Sequence, residues 1–433
     1  MTAPSVARIH RVAIISTGSE ILQGLYADTN ARYLAEQMSA LGGEVILIAA
    51  APDNADELRR ILEYAVGRAD LVICSGGLGP TADDVNREVF AEVWRVNLVR
   101  NEQAVEMMRE RFRARGREMP PANEVQGMVP AGAIVLQNQW GTAPGFFLSA
   151  GAGGPGAPKC ALLALPGPPK ELIPMFETLA LPLLRERIGG ATVVRTRTIH
   201  TYGRPESELG ALTRDLFRRD PAVGFTILAK TYGVDFRVTV RGKDRTAVDA
   251  LVAQYEDETL QRVGRDCVYG FDDDTMASAV AGLLIASGVT VTVAESCTGG
   301  LVAKLLTDTP GSSAYLRQAV VTYANEAKEA LLGVRPETLR LHGAVSEACA
   351  REMAEGARRA AGGPDYALAI TGIAGPTGGS AQKPVGLVYV ALASDRPTVC
   401  IERRFLGDRD QIRLHAALTA LDLLRRTLLG LQG

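Results

Sequence analysis

Short β-branched runs that end in a glycine-bearing turn and pass at once into a helical pattern recur along this chain. That alternation confines it to α/β architectures. From residue 11, Val12–Ser16 reads as a strand, Thr29–Leu41 as a helix and Val45–Ala49 as a strand. Asp56–Ala65 is then a helix and Leu71–Ser75 a strand. Strand-helix-strand order demands parallel pairing with helices on both faces, a doubly wound sheet. The same grammar returns far downstream. Val289 to Val293 meets Ser296-Cys-Thr-Gly-Gly300, and Leu301, Val302, Leu305 and Leu306 start a helix. With 433 residues there is room for two or three domains with proper cores.

Composition excludes several classes. The net charge is −2, so no global basic field points to nucleic acid. Six cysteines are scattered without a C-x-x-C or Cys/His cluster, which argues against disulfide frameworks and structural zinc and fits a cytoplasmic location. The apolar run Val12 to Ile15 is too short for a signal peptide. Residues 275–294 carry no charge and match a membrane span in length. Ser278, Gly282, Ser287, Gly288, Thr290 and Thr292 interrupt them, so they read as a buried helix (Thr275–Ser287), a glycine stop and a central strand.

Ser296 stands where a strand gives way to a helix. Free backbone N–H groups at such a place can stabilise an oxyanion, although a Ser/Thr cap with a glycine turn is the commoner reason for the pattern. Three further strand-to-helix junctions follow, at Val320–Lys328, Ile370–Gly379 and Gly407–Arg413. In an open parallel sheet, loops at the carboxyl ends of strands share one crevice. This would gather Ser296, Tyr323, Lys328, Thr371 and Arg409. None of the four histidines lies in these loops, so a Ser–Lys pair replaces a Ser–His triad as the natural arrangement. Lysine serves as a base only if burial or a positive neighbour lowers its pKa, and Arg409 and the helix terminus are expected to supply that pressure. Lys304 is the rival base, but eight residues of helix put it about 12 Å from Ser296. Cys297 is the other conceivable nucleophile and reads as a small packing residue.

In the first half, Ser75-Gly76-Gly77-Leu-Gly79-Pro-Thr81-Ala-Asp83-Asp84 follows the third strand. Gly77-x-Gly79-x-x-Ala82 imitates a dinucleotide fingerprint but sits after the wrong strand. Glycines let backbone approach a phosphate, and paired carboxylates can hold a divalent cation. Equally, Asp83 and Asp84 can complement the dipole of a helix at Val85–Val93. Glu20, Asp28 and Glu171 lie near helix starts and carry the same ambiguity, as does Asn123 in its loop. The Gly/Pro-rich stretch 149–159 lies between strands Gly145–Leu148 and Ala161–Leu165 and reads as an enlarged hairpin loop. Residues 174–268 give a helix (Pro174–Ile188), a strand (Thr192–Thr201), a helix (Pro205–Leu216), two strands (Gly224–Lys230, Val234–Arg241) and a helix (Thr246–Val263). Arg195, Arg197, Arg204, Arg214, Arg218 and Arg219 could form a basic face there, though solvation is the usual reason for such residues.

The ordered motifs AESCTGG (294–300), GSSAY (311–315), VVTYANEAK (320–328), HGAVSE (342–347), TGIAGPTGG (371–379), KPVG (383–386) and GDRDQIR (407–413) resemble the nicotinamide mononucleotide deamidase domain of the CinA family. STGSEILQG (16–24), DTN (28–30), SGGLGPTADD (75–84), PANEVQGMVPAGA (121–133), NQWGTAPGF (138–146) and LPGPPKEL (165–172) resemble that family's molybdopterin-binding-like domain. The middle is similar to its KH-like module, yet has no G-x-x-G loop to clamp nucleic acid. The resemblance implies an α/β fold of three parts. They are a doubly wound molybdopterin-binding-like domain (1–173), an α+β KH-like domain (174–268) and an α/β deamidase domain (269–433).

It also implies two activities. In the last domain Ser296 would attack the amide of nicotinamide mononucleotide, Lys328 would take its proton and Tyr323 would assist. Cys297, Thr298, Gly299, Thr371, Gly372 and Arg409 would bind substrate, without a cofactor. In the first, ADP-ribose would be cleaved to AMP and ribose 5-phosphate with a divalent metal cation. Asp83 and Asp84 lead as its ligands, with Glu20, Asp28 and Glu171 behind them, and Gly76, Gly77, Gly79, Thr81 and Asn123 hold the nucleotide. Small-molecule nucleotides and a second copy in a homodimer are the expected partners; membranes are not, and the sequence argues against direct nucleic-acid binding. The rival reading is an accessory protein of competence or DNA recombination whose first domain only binds nucleotide or pterin.

Overall fold

The computed structural model describes residues 8–188 and 193–431, so Thr192, expected to open a strand, lies outside the described residues. Contacts divide the chain into two compact units, one of residues up to 195 together with 240–250, the other of 196–239 together with 251 onward.

In the first unit, strands β1 (Arg11–Thr17), β2 (Glu44–Ala51) and β3 (Leu71–Ser75) are followed by a two-stranded ribbon, β4 (Leu98–Arg100) with β5 (Met128–Pro130). Then come β6 (Ile134–Leu136), β7 (Gly145–Leu148) and β8 (Ala161–Leu165). The main sheet runs β2-β1-β3-β8-β7-β6. Its first four strands are parallel, but β7 runs against both β8 and β6, so the doubly wound sheet is mixed at one edge. The cause is the 149–159 stretch, which turns β7 directly into β8 as a hairpin, as its flanking strands led us to expect. Alternation along β1 sets the two layers. Ala13 and Ile15 face the helix Ala55–Val66 through Leu58 and Leu62. Val12 and Ile14 face the helix Thr29–Ala40 through Leu34 and Met38.

The boundary expected between 173 and 174 falls inside a helical run. That run starts at Pro169, not Pro174, and continues to Arg185. Leu172, Met175, Phe176 and Leu184 pack into the same core as Val12 and Ile14, so this helix belongs to the first unit. Pro168 and Pro169 start it where a missing N–H costs nothing.

The second unit holds β9 (Val193–Thr201) from residue 196 on, β10 (Val223–Lys230), β11 (Gly233–Gly242) up to residue 239, and β12 (Val268–Phe271), in the order β10-β11-β9-β12. It continues with β13 (Val291–Glu295), β14 (Leu316–Val321), β15 (Tyr366–Gly372), β16 (Leu387–Ala393) and β17 (Val399–Arg404), in the order β14-β13-β15-β16-β17. β14, β13 and β15 are parallel, while β16 runs against both β15 and β17. Two reversals bring β17 back to the direction of β15. The loops after β13, β14, β15 and β17 therefore leave one edge, although the sheet is not parallel throughout. The uncharged stretch behaves as a core segment: Thr275 and Ser278 cap the helix Met276–Ser287, and Gly288 ends it with φ 66°. Among the described residues, no helix is long and apolar enough to cross a membrane.

One buried polar knot ties β12 to β9 and β11. His200 faces acceptors with both ring nitrogens, Asp235 Oδ1 at 2.8 Å through Nδ1 and the Asp272 carbonyl at 2.8 Å through Nε2. Both bonds are made only by the imidazolium. The Asp235 carboxylate raises the His200 pKa; burial pushes Asp235 up, but the bonds from His200 and Lys230 outweigh it and hold it low. A raised histidine pKa stabilises fully below its unfolded value and loses that contribution as pH rises through the folded value. A lowered aspartate pKa acts above its unfolded value. The pair thus supports the fold from about pH 4 to 6.5 and weakens above that. We expect the melting temperature of the second unit to fall between pH 6 and 8, and the fall to vanish in His200→Gln; calorimetry across that range checks it.

Candidate active site and candidate nucleotide pocket

β13 ends on Glu295, and Ser296 is pinned to the neighbouring strand by its N–H, 3.0 Å from the Ile370 carbonyl. The chain then turns through Gly299 and Gly300, both left-handed at φ 63° and 94°, into the helix Leu301–Thr307. Glu295 is buried and its carboxylate accepts N–H groups of Gly300 (3.0 Å), Val302 (3.2 Å) and Ala303 (2.9 Å). The start of that helix is thereby occupied by the protein's own anion, so the N–H groups of Gly300, Val302 and Ala303 are not available to an oxyanion. Among the described residues, the N–H groups of Cys297 and Thr298 meet no protein acceptor. They directly follow Ser296 and are the available oxyanion donors.

Lys328, on the helix Asn325–Leu332, is 1 % exposed. Its ammonium lies 3.2 Å from Ser296 Oγ and donates to the Thr322 carbonyl (2.8 Å) and the Tyr323 carbonyl (3.1 Å). Among the described residues, no carboxylate joins this set. Burial lowers the Lys328 pKa from the usual lysine range. Arg409, expected to exert that pressure, is engaged elsewhere: it donates to the Gly375 carbonyl (2.7 Å) and to Tyr323 Oη (3.1 Å). Lys304 pairs with Asp308 in solvent.

The other expected residues divide. Tyr323 touches Lys328 through its carbonyl, while its exposed ring leans on Arg409, so a direct part in proton transfer is not what the geometry offers. The Thr371 hydroxyl is buried and donates to the Ala344 carbonyl at 2.8 Å, tying β15 to the 343–346 turn rather than addressing substrate. Gly372 sits where a Cβ would approach the Leu387 carbonyl to 2.8 Å, a packing requirement of β15 against β16. The Thr298 hydroxyl is buried without a partner. Its carbonyl accepts from Arg413 Nη2 at 2.9 Å, and that guanidinium borders Gly299. Glu295 and Arg413 were not singled out in the sequence. The signal for one is an acid just before a helix start, and for the other its spacing of four from Arg409 on one helix.

Burial pushes the Cys297 thiol up to about 12, so it carries no thiolate at neutral pH. Cys297→Ala is expected to keep kcat within about tenfold of the parent, and iodoacetamide to leave the activity intact. Inactivation that tracks alkylation of Cys297 would reverse the assignment.

In the first unit the loops after β1 and β3 open a cavity of about 780 Å³ at the point where the strand order reverses. All five acids expected as metal ligands line it: Glu20, Asp28, Asp83, Asp84 and Glu171. Three are already committed. Asp84 accepts from Gly79 N (2.8 Å), Thr81 N (3.0 Å) and Thr81 Oγ1 (2.5 Å); Asp28 caps the helix Thr29–Ala40; Glu171 accepts from Asn138 at 2.8 Å. Among the described residues no three His, Cys, Asp or Glu gather as a metal site. The set therefore makes no protein cage; Glu20 and Asp83, the latter with the Thr81 side chain as a neighbour, are exposed carboxylates that can share a cation with a ligand's phosphates.

The loop itself is preorganised. A Cβ on Gly76 would stand 2.4 Å from the Thr17 carbonyl, at φ 96°. Buried Arg87 takes the Leu78 and Gly79 carbonyls, both at 2.7 Å, and the N–H groups of Gly77 and Leu78 keep no protein acceptor among the described residues. Thr81 buttresses Asp84 instead of facing the cavity. Asn123 is likewise indirect: it donates to Gln126 at 3.0 Å, and Gln126 is the cavity-lining residue. In the second unit Arg197, Arg204 and Arg219 pair with Glu256, Glu208 and Glu258, which uses up much of the expected basic face.

These features define an α/β protein with a serine–lysine pair in its last domain and a glycine-loop pocket in its first. Comparison with known proteins agrees. Residues 273–428 match the CinA C-terminal domain, 13–186 a probable molybdopterin binding domain and 196–270 the damage-inducible protein CinA KH domain. A CinA-like protein of Gloeobacter violaceus is 42 % identical over 96 % of this chain and 96 % of its own. One of Dictyoglomus turgidum is 38 % identical over 97 % of this chain and 100 % of its own. A solved structure, the competence/damage inducible protein CihA from Agrobacterium tumefaciens, is 44 % identical, covers 35 % of this chain and 94 % of that one, and gives a TM-score of 0.34. The chain belongs to the CinA family and has its three-domain architecture.

Proposed function

We propose that the last domain is an amidohydrolase acting on nicotinamide mononucleotide. The observation that carries the chemistry is the buried Lys328 ammonium 3.2 Å from Ser296 Oγ with no carboxylate to hold its charge; the substrate follows from the family resemblance. Neutral Lys328 takes the Ser296 proton as Oγ bonds to the carboxamide carbon, and the N–H groups of Cys297 and Thr298 receive the developing oxyanion. Collapse breaks the C–N bond, with Lys328 returning the proton to the leaving ammonia. Water, deprotonated by the same amine, then attacks the acyl-serine; the C–Oγ bond breaks, the Lys328 ammonium returns the proton to Ser296 Oγ, and nicotinate mononucleotide is released. The pure protein should release ammonia from this nucleotide at an undiminished rate in excess chelator. Failure to release it under any metal condition would end this reading.

A second reading is favoured by the free Gly77 and Leu78 N–H groups and the exposed carboxylates of Glu20 and Asp83 in the same cavity. The first domain would bind the pyrophosphate of ADP-ribose and hydrolyse it to AMP and ribose 5-phosphate. A divalent cation, when bound by Glu20, Asp83 and phosphate oxygens, would offset charge on the phosphates. AMP formation should disappear in chelator and in Asp83→Ala, while ammonia release persists.

A further inference from the structure

Within the second unit, a separate cavity of about 650 Å³ opens between the β10–β11 turn and β9 on one side and β17 with the helix Arg409–Leu428 on the other. It shares no lining residue with the Ser296–Lys328 site. Ile401 and Arg403 project from one face of β17, with Phe405 continuing the alternation just beyond its end. Phe405 and His415 stack with ring centroids 5.3 Å apart and planes 15° from parallel, and Tyr232 lines the cavity across from them. Tyr202 is fixed in the wall by its hydroxyl, 2.7 Å from Thr419 Oγ1.

The charges around this space are mostly committed. Lys230 pairs with Asp235, Arg204 with Glu208, Asp266 with Arg426 and Asp422 with Arg425. Glu206 is exposed in the first turn of the helix Glu206–Thr213, where it complements the helix dipole. Arg403 is different: it donates only to the carbonyl of its neighbour Glu402, at 2.9 Å, and meets no carboxylate among the described residues. An uncommitted guanidinium two residues from a stacked aromatic pair, in a cavity of ligand size, asks for a flat ring that carries an anion.

We propose that this cavity binds a nucleoside monophosphate, with its base against the Phe405–His415 pair and its phosphate at Arg403. Stacking tolerates any base, so the phosphate supplies the selectivity over a nucleoside. The site is independent of both proposed hydrolytic centres.

Photolabelling of the full chain with 8-azidoadenosine 5′-monophosphate tests it, because peptide mapping separates this cavity from the other two. Label is expected in peptides spanning 229–234 or 401–419. Unlabelled AMP should suppress it at about a tenfold lower concentration than adenosine, a preference of roughly 1.4 kcal/mol. Arg403→Gln and Arg403→Glu, at an exposed position, should each cut that label about tenfold or more while leaving the melting temperature unchanged. Absence of label from these peptides, equal suppression by adenosine, or undiminished label in a folded Arg403 variant would each overturn the proposal.

Discussion

Replacing Lys328 with methionine is expected to lower kcat for amide hydrolysis by between a hundredfold and about ten-thousandfold, the range over which a positioned base acts. Methionine keeps an unbranched stem of the same length up to Cε, with sulfur in place of the δ-methylene, and lacks the amine. Among the described residues Ser296 then keeps no hydrogen-bonded base, since Lys304 pairs with Asp308 in solvent. The pH profile carries a second readout. Only the neutral amine can accept the serine proton, so kcat/KM should rise as pH rises through the Lys328 pKa and then level off. Burial lowers that pKa, so the plateau should begin below the ordinary lysine range. In Lys328→Met this limb should be absent. A variant retaining more than about a tenth of the parent kcat with the rising limb intact would show that another group takes the proton.

Much of this site was readable from the chain because its determinants are local. The stop at Gly288, the strand to Glu295 and the turn at Gly299 and Gly300 follow from a change of period and two glycines. Lys328 was separable from Lys304 by helix rise alone. The convergence of four loops also held, but the parallel sheet assumed for it did not: β16 runs backward and β17 reverses again, which no local pattern announces. Long-range side-chain work escaped notice for the same reason. The Glu295 carboxylate turns to N–H groups up to eight residues on, Arg413 reaches a carbonyl 115 residues away, and Thr371 spends its hydroxyl on Ala344. The boundary expected at 173 lies inside the helical run that starts at Pro169, and burial of that helix in the first core is a long-range fact that no local pattern announces. In the first domain, type and place of the acids were legible, whereas their existing hydrogen bonds were not. A carboxylate that caps a loop and one that awaits a cation look alike in a sequence.

The largest loss of stability should come from Glu295→Ala. Three main-chain donors at the start of the helix Leu301–Thr307 converge on this buried carboxylate, and hydrogen bonds to a charged acceptor contribute about 1.5–3 kcal/mol each. They are not additive, yet alanine leaves all three donors facing a gap too enclosed for bulk water. We expect a loss of about 3 kcal/mol or more, or roughly 6 °C in the melting of the second unit. Activity should fall with it, because the same carboxylate holds the turn that presents Ser296 and the Cys297 and Thr298 N–H groups. Glu295→Gln separates the two effects if alanine prevents folding. Its amide oxygen can still accept, while its NH2 opposes a donor, so it should melt between parent and alanine variant and lose kcat with little change in KM. Urea denaturation with kinetics on both variants decides it. An alanine variant melting within about a degree of the parent would mean that water, not Glu295, satisfies that helix start. The nucleophile turn would then need a different anchor, with the Arg413 bond to the Thr298 carbonyl the remaining tie on its far side.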